Sequence, residues 1–190
     1  DRLEFAPKDV QKEYFRKQLE VFAKASELDA LPLFLHNRNV NRDLLEILKE
    51  QPRTYKGVVH SFDDSLELAQ EIMDMGLYIG LNGCSLKTPE NLEVVKQIPL
   101  DKILLETDCP YCEIKATHAG HQAIQTTFAK KPEKKYEKGT MVKGRNEPCQ
   151  IIQVAEVIAF AKGISVEEVA QQCYENTLKL YGWEDMKDLS

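Results

Sequence analysis

Two imidazoles and two carboxylates stand at the ends of apolar runs in this chain. LPLFLH ends on His36, GVVHSF carries His60, and KILLETDCP delivers Glu106, Thr107 and Asp108. Parallel α/β proteins bind ligands where their strands deliver their C-terminal ends. Two imidazoles and a carboxylate at such ends can converge on one metal ion. Imidazole suits zinc, iron or nickel, and carboxylate also suits magnesium or manganese. An ion held there polarises a phosphoryl or carbonyl oxygen and acidifies a bound water. Glu106 and Asp108 alternate along the run, so both face one side. Asp108 is the favoured ligand and Glu106 its support. The competing reading makes each histidine a core or capping residue with a single hydrogen bond.

Around this trio lie further polar groups. Arg38 follows His36 by two residues and has the planar fork that meets a phosphate. Asn82 and Ser85 sit at the exit of LYIGLNG and offer hydrogen bonds to a substrate. Cys109-Pro-Tyr-Cys112 is a CxxC followed by His118 and His121. Those four groups can be read as a tetrahedral zinc site, as a redox pair, or as residues with separate roles. Redox chemistry of the thioredoxin type wants CxxC opening a helix, and here polar loop follows.

The trio needs strands to deliver it. Apolar spacing predicts a helix from Pro7 to Asp29, with Pro7 in the first turn. Leu31–His36 reads as a strand buried on both faces. Helix Asn41–Glu50, strand Gly57–Phe62, helix Ser65–Met75, strand Leu77–Gly83, helix Pro89–Ile98 and strand Lys102–Pro110 follow in alternation. That rhythm predicts α/β architecture with a parallel sheet. Residues 109–147 then lose periodicity, as long functional or disordered loops do. Pro148–Ala161 and a helix opened by a Ser165/Glu168 capping box close the chain, with Gly182 ending the last helix. Asn146 is read as a cap for the first of these helices, with Glu147 at its start.

Composition bounds the partners. The chain has 190 residues, is 43% hydrophobic and 29% charged, and carries a net charge of −6. No run approaches the roughly 20 apolar residues of a membrane span, so no membrane partner is expected. Its five cysteines are an odd number and look like thiols of a reducing, intracellular compartment. The charge is uneven, however. Residues 130–145 hold seven lysines and arginines against Glu133 and Glu137. A cationic arm of this kind attracts a polyanion.

Taken together these residues resemble the TatD family of metal-dependent deoxyribonucleases, in its eukaryotic branch. The matching pieces are DRLEF at the start, LPLFLH, GVVHSF, LYIGLNGCSLKT, LLETDCPYC, THAG at 117–120 and RNEP at 145–148. The resemblance implies a TIM-barrel (β/α)8 fold and hydrolysis of DNA phosphodiester bonds, with a 3′–5′ exonuclease as one form, through metal-activated water. It implies that His36 and His60 are metal ligands on the fifth and sixth strands and Asp108 a ligand and catalytic residue on the eighth. Arg38, His118 and Arg145 become substrate-binding candidates, with Glu106, Asn82 and Glu147 in support. Two divalent ions, Mg²⁺, Mn²⁺ or Zn²⁺, belong to a complete family site. DNA is the implied partner, and nucleus or cytoplasm the implied location.

The resemblance also has gaps. The family's H-x-H pair on its first strand and the glutamate of its G-E-x-G-L-D segment do not occur in this sequence. Residues 1–190 are therefore expected to form an N-terminally incomplete hydrolase domain, with strands five to eight and the C-terminal helices. Half a barrel leaves exposed strand edges, and lost ligands weaken metal binding. Completion would require a separate N-terminal half or self-association of two copies. Two functions compete: a metal-dependent deoxyribonuclease, and an inactive form that binds nucleic acid or protein through the arm and open edge. A carbonyl-type substrate is a third option, and the cationic arm weighs against it.

Overall fold

The computed structural model describes residues 5–24, 31–38, 40 and 42–182. The first four residues of the DRLEF segment, the predicted helix end at 25–29 and Asn41 lie outside them. Helix α1 (Lys8–Lys24) comes first. Then β1 (Leu33–His36), α2 (Asp43–Lys49), β2 (Gly57–His60), α3 (Leu66–Asp74), β3 (Tyr78–Leu81), α4 (Pro89–Gln97) and β4 (Ile103–Leu105) alternate. The four strands pair parallel in the order β1-β2-β3-β4. A helix between successive strands is what parallel pairing requires.

Local chemistry fixes the helix ends. The Ser65 hydroxyl accepts from Leu68 N–H at 3.3 Å, and Thr88 with Asn91 forms a reciprocal box ahead of Pro89. The last helices, α5 (Ile151–Lys162) and α6 (Val166–Tyr181), each stop at a left-handed glycine, Gly163 and Gly182. Ser165 caps α6 by accepting the backbone N–H of Glu168 at 3.1 Å. Asn146 does not cap the turn into α5. Glu147 occupies that position, and its N–H donates to Gln150 Oε1 at 3.1 Å.

The two faces of the sheet differ. Leu35, Val59, Ile79, Leu81 and Ile103 point into the main core, where they meet the apolar sides of α2, α3 and α5. Val58, Tyr78 and Leu104 point the other way and pack with Leu180 of α6. β2 and β3 are buried throughout, as expected for central strands. β1 departs from the expectation of burial on both faces. It is an edge strand, and its Phe34 is 52% exposed and its His36 exposed. The expected strand limits also shrink to three or four residues, because the polar ends leave the ladder to form loops.

Residues 106–147 contain short 3₁₀ turns and two two-residue strands, β5 (Lys130–Lys131) and β6 (Met141–Val142), which pair with each other. α5 anchors this excursion from below. Its buried Glu156 accepts N–H bonds from Gln125 at 2.9 Å and Thr126 at 3.0 Å, and also the Thr126 hydroxyl. Gln153 donates to Thr126 O at 2.8 Å. No single helix among the described residues is long and apolar enough to cross a membrane. Glu156→Ala would leave the Gln125 and Thr126 donors without this carboxylate and empty its buried place on α5. It is expected to lower stability by about 2–4 kcal/mol, read as a reduced urea midpoint.

Candidate functional site at the strand ends

Strand register brings the histidines together. His36 and His60 are paired residues at the ends of β1 and β2, and their ring centroids lie 5.0 Å apart. Period-two alternation puts both on the Val58/Tyr78/Leu104 face. Phe34, two residues back on β1, sets its ring 4.7 Å from that of His60. On the same face Gly80 of β3 has no side chain. Glu106, just beyond β4, fills that space, since a Cβ on Gly80 would fall 2.2 Å from Glu106 Oε1. Glu106 Oε2 lies 2.7 Å from His60 Nδ1 and accepts Ser61 N–H at 3.0 Å. A carboxylate that accepts from Nδ1–H leaves Nε2 as the other ring atom on offer. Nε2 stands 3.5 Å from Asp108 Oδ1.

The imidazoles titrate in opposite directions. Burial pushes His60 down, but the hydrogen bond and charge of Glu106 and the charge of Asp108 outweigh it, and the net shift is upward. Desolvation and the nearby His60 push His36 below its ordinary value.

The carboxylate loop is held in an uncommon shape. Asp108 and Cys112 both have φ of 56°, and Ser61 has 54°. Non-glycine residues in this region concentrate at functional sites. Buried Asn146 braces the loop, donating through Nδ2 to Thr107 O at 2.6 Å and Tyr111 O at 2.7 Å. The Cys112 thiol donates to Asp108 Oδ2 at 3.2 Å. The CxxC is not one unit. Cys109 Sγ lies 2.8 Å from Thr107 Oγ1, whereas Cys112 Sγ lies 2.6 Å from Cys84 Sγ on the turn after β3. All five cysteines are free thiols. Contact with the Cys112 sulfur lowers Cys84 to about 6 against the opposing effect of burial, and Cys112 is pushed upward. The tetrahedral zinc reading of Cys109, Cys112, His118 and His121 is not assembled: Cys109, Cys112 and His118 turn to separate neighbours, and no metal-holding group of three or more such side chains occurs among the described residues.

His36, Asn37, Arg38, His60, Ser61, Asp63, Cys84 and Lys87 line a cleft of about 140 Å³. Arg38 thus joins the histidines, and its charge is felt by both. Lys87 and Asp63 are members that sequence reasoning missed. Desolvation raises the Asp63 pKa, and Lys87 opposes the rise. Asn82 is fully buried rather than open to substrate. It donates to Ser61 Oγ at 2.9 Å and accepts Cys84 N–H at 2.8 Å, so it positions two lining residues. His118 stands beside the cleft, where Ala119 N–H donates to Lys87 O at 2.8 Å, and burial followed by the Lys87 charge lowers its pKa. Arg145 is exposed in the turn after β6, and Glu147 starts the turn into α5. Both connect to the Asp108 loop through their neighbour Asn146. A larger cleft of about 290 Å³, lined by Leu48, Pro52, Arg53, Tyr55, Met75 and Leu77, lies at the other end of the strands. It holds no imidazole or carboxylate.

Among the described residues, no group of three or more His, Cys, Asp or Glu side chains is arranged to hold a metal ion. The donor chemistry nevertheless fits in part. Two donors each about 2.1 Å from one tetrahedral ion are about 3.4 Å apart. The 3.5 Å between His60 Nε2 and Asp108 Oδ1 matches that edge. Glu106 behind Nδ1 is the backing that ligating imidazoles usually have. His36 sits a ring's width away on the adjacent strand.

A parallel α/β sheet gathering imidazoles and carboxylates at its C-terminal strand ends has the build of a hydrolase scaffold. The chain belongs to the TatD-related DNase family, whose sequence pattern matches residues 2–182. It is 50% identical over 186 residues to a Schizosaccharomyces pombe protein named Deoxyribonuclease Tat-D, covering 95% of this chain and 58% of that one. The crystal structure of an uncharacterized amidohydrolase from Saccharomyces cerevisiae superposes with a TM-score of 0.88 at 34% identity, covering 95% of this chain and 62% of that one. A TatD family hydrolase from Entamoeba histolytica gives 0.87 at 36%, covering 93% and 58%. The chain therefore spans about three fifths of the length of these relatives.

Glu106→Gln removes the charge that raises His60, so the His60 pKa of the metal-free protein is expected to fall in an NMR titration. The sign carries to stability. The elevated His60 pKa gives a contribution fully present below the ordinary value of 6.5 and lost as pH rises through the folded-state value. Glu106→Gln is expected to shrink this acid-side contribution, read by urea unfolding at several pH values.

Proposed function

We propose that residues 1–190 belong to a metal-dependent deoxyribonuclease domain, with β1–β4 as strands five to eight of a (β/α)8 barrel. On this reading residues 1–190 are one hydrolase domain completed by further strands. The observation that carries it is His60, held between Glu106 and Asp108 and registered beside His36. β1 ends the strand order, and its exposed Phe34 and His36 stand on the face that further strands of a barrel would enclose, which supports this reading. His36, His60 and Asp108 would hold a divalent ion, Mg²⁺, Mn²⁺ or Zn²⁺, and the complete site two of them. When bound, such an ion neutralises charge on a phosphoryl oxygen and acidifies water.

The chain's own groups do the rest. Glu106 holds the His60 proton at Nδ1 and keeps Nε2 turned toward the cleft. Asp108 is the catalytic carboxylate, with Oδ1 facing His60 Nε2 and Oδ2 held by the Cys112 thiol. Arg38 and Lys87 line the cleft as cations for the phosphates flanking the scissile bond. His118 and Arg145 extend substrate binding outward. DNA is the substrate, in keeping with the cationic arm, and trimming from a 3′ end is one form of the reaction. The five free thiols suit an intracellular setting, nucleus or cytoplasm.

A second reading has a specific observation in its favour. No three ligands are grouped among the described residues, so this chain alone would bind nucleic acid without turnover until a missing half or a second copy completes the site. One experiment separates the readings. Mn²⁺ binding is measured by calorimetry at known oligomeric state, alongside hydrolysis of duplex and single-stranded DNA. Manganese binding that falls at least about tenfold in Asp108→Ala and His60→Ala, with turnover lost in both, supports the nuclease. Binding of DNA without manganese binding or turnover favours the second reading. Manganese binding unaffected by both substitutions would overturn the ligand assignment.

The arm has its own signature. Lys134→Glu with Lys135→Glu is expected to weaken DNA binding at low salt and to reduce the slope of log K against log salt by about 1–2. The Mn²⁺ affinity should stay unchanged.

A further inference from the structure

Cys84 and Cys112 come from different turns, 28 residues apart, yet their sulfurs are 2.6 Å apart. Two close-packed turns impose this meeting. Cys84 is the second residue of the 3₁₀ turn Gly83–Leu86 after β3, with its N–H fixed on Asn82 Oδ1. Cys112 lies in the loop that leaves β4, next to Tyr111, whose carbonyl is held by Asn146. The backbones approach so closely that a Cβ on Gly83 would lie 2.0 Å from Cys112 O. Both thiols are partly exposed, and Cys84 lines the cleft. Cys109, the nearer residue in sequence, is turned away onto Thr107.

We propose that Cys84 and Cys112 form a reversible disulfide in exchange with a small-molecule disulfide of the glutathione class. Cys84, reached through the cleft, attacks one sulfur of that disulfide and releases one equivalent of its thiol. Cys112 then attacks the mixed disulfide at Cys84 and releases the second. One S–S bond forms in the protein and one breaks in the reagent. Two protein thiols are oxidised, the reagent is reduced to two thiols, and the two protein protons end on them. Little freedom is left to lose at the second step, because the sulfurs already touch, which favours intramolecular closure.

The site feels the change through one bond. Reduced Cys112 donates to Asp108 Oδ2 at 3.2 Å. A disulfide sulfur carries no proton, so oxidation removes that donor. This consequence rests on the proposed role of Asp108, whereas the disulfide itself does not.

The test incubates the folded, metal-free protein with oxidised glutathione, traps remaining thiols by alkylation, and maps peptides by mass spectrometry. Loss of two of the five thiols into a single Cys84–Cys112 link, reversed by dithiothreitol and unchanged in Cys109→Ser, is expected. Cys84→Ser and Cys112→Ser should each abolish the link. No link, or a Cys109–Cys112 link, would overturn the proposal. Mn²⁺ affinity is then compared between the reduced and linked forms, with a change of about tenfold expected. A link with unchanged affinity overturns the connection to Asp108 and leaves the disulfide standing. Absence of manganese binding in both forms counts against the metal reading alone.

Discussion

The contact between His60 and Glu106 spans three strands, and the rest of the site is arranged around it. Glu106 belongs to the end of β4 and His60 to the end of β2. Between them lies Gly80 of β3, and only a residue without a side chain lets the carboxylate pass. The carboxylate then takes both His60 Nδ1 and Ser61 N–H. Burying a charge is costly unless it is paired and hydrogen-bonded, and here both conditions are met by groups at one strand end. The imidazole is thereby fixed in rotation and proton position, and its Nε2 has one direction left, toward Asp108.

Asp108 is positioned by a different device. Its loop leaves the sheet with left-handed residues at both ends of the CxxC, so local sequence alone does not hold it. Asn146 supplies the missing constraint from 35 to 39 residues away, with one amide group across two carbonyls. Buried amides of this sort are costly to leave unpaired. The long excursion between β4 and α5 thus ends by bracing its own beginning. Glu156 grips its middle, which explains why so little regular structure still keeps a defined course.

Much of this was legible from residue types. The alternation of apolar runs with helical spacing located every strand of the main sheet, and strand-end logic picked out His36, His60, Glu106 and Asp108. What failed had nonlocal causes. β1 was read as doubly buried from its apolar letters, but burial of Phe34 depends on a neighbour that the letters of β1 do not encode. Separate roles for the two cysteines of the CxxC were legible from the polar loop that follows it, but the partner that Cys112 meets, Cys84, was not. Asn146 looked like a helix cap because Asn is common there, yet its side chain serves the Asp108 loop. Lys87 lies within the LYIGLNGCSLKT segment, but a lysine on a turn carries no sign of the cleft it lines. Gly80, a glycine inside a strand pattern, did carry one, since such glycines mark close approaches.

The cationic arm makes sense only in relation to that loop. The chain as a whole is acidic, at −6, so the arm's charge is a local feature and acts over about 8–10 Å at physiological salt. A positive segment at random distance would contribute little to the site. This one is fastened at both ends. Lys130 pairs with Glu113, the residue after Cys112, and Arg145 precedes Asn146. Surface ion pairs contribute little to stability, so the Lys130–Glu113 pair is better understood as setting register than as holding the fold. Lys134, Lys135, Lys138 and Lys143 lie between those two fastenings and are exposed. On the proposed reading, a polyanion lying along them would be delivered in a fixed relation to Asp108, which is what cleavage of one bond in a long charged chain would require.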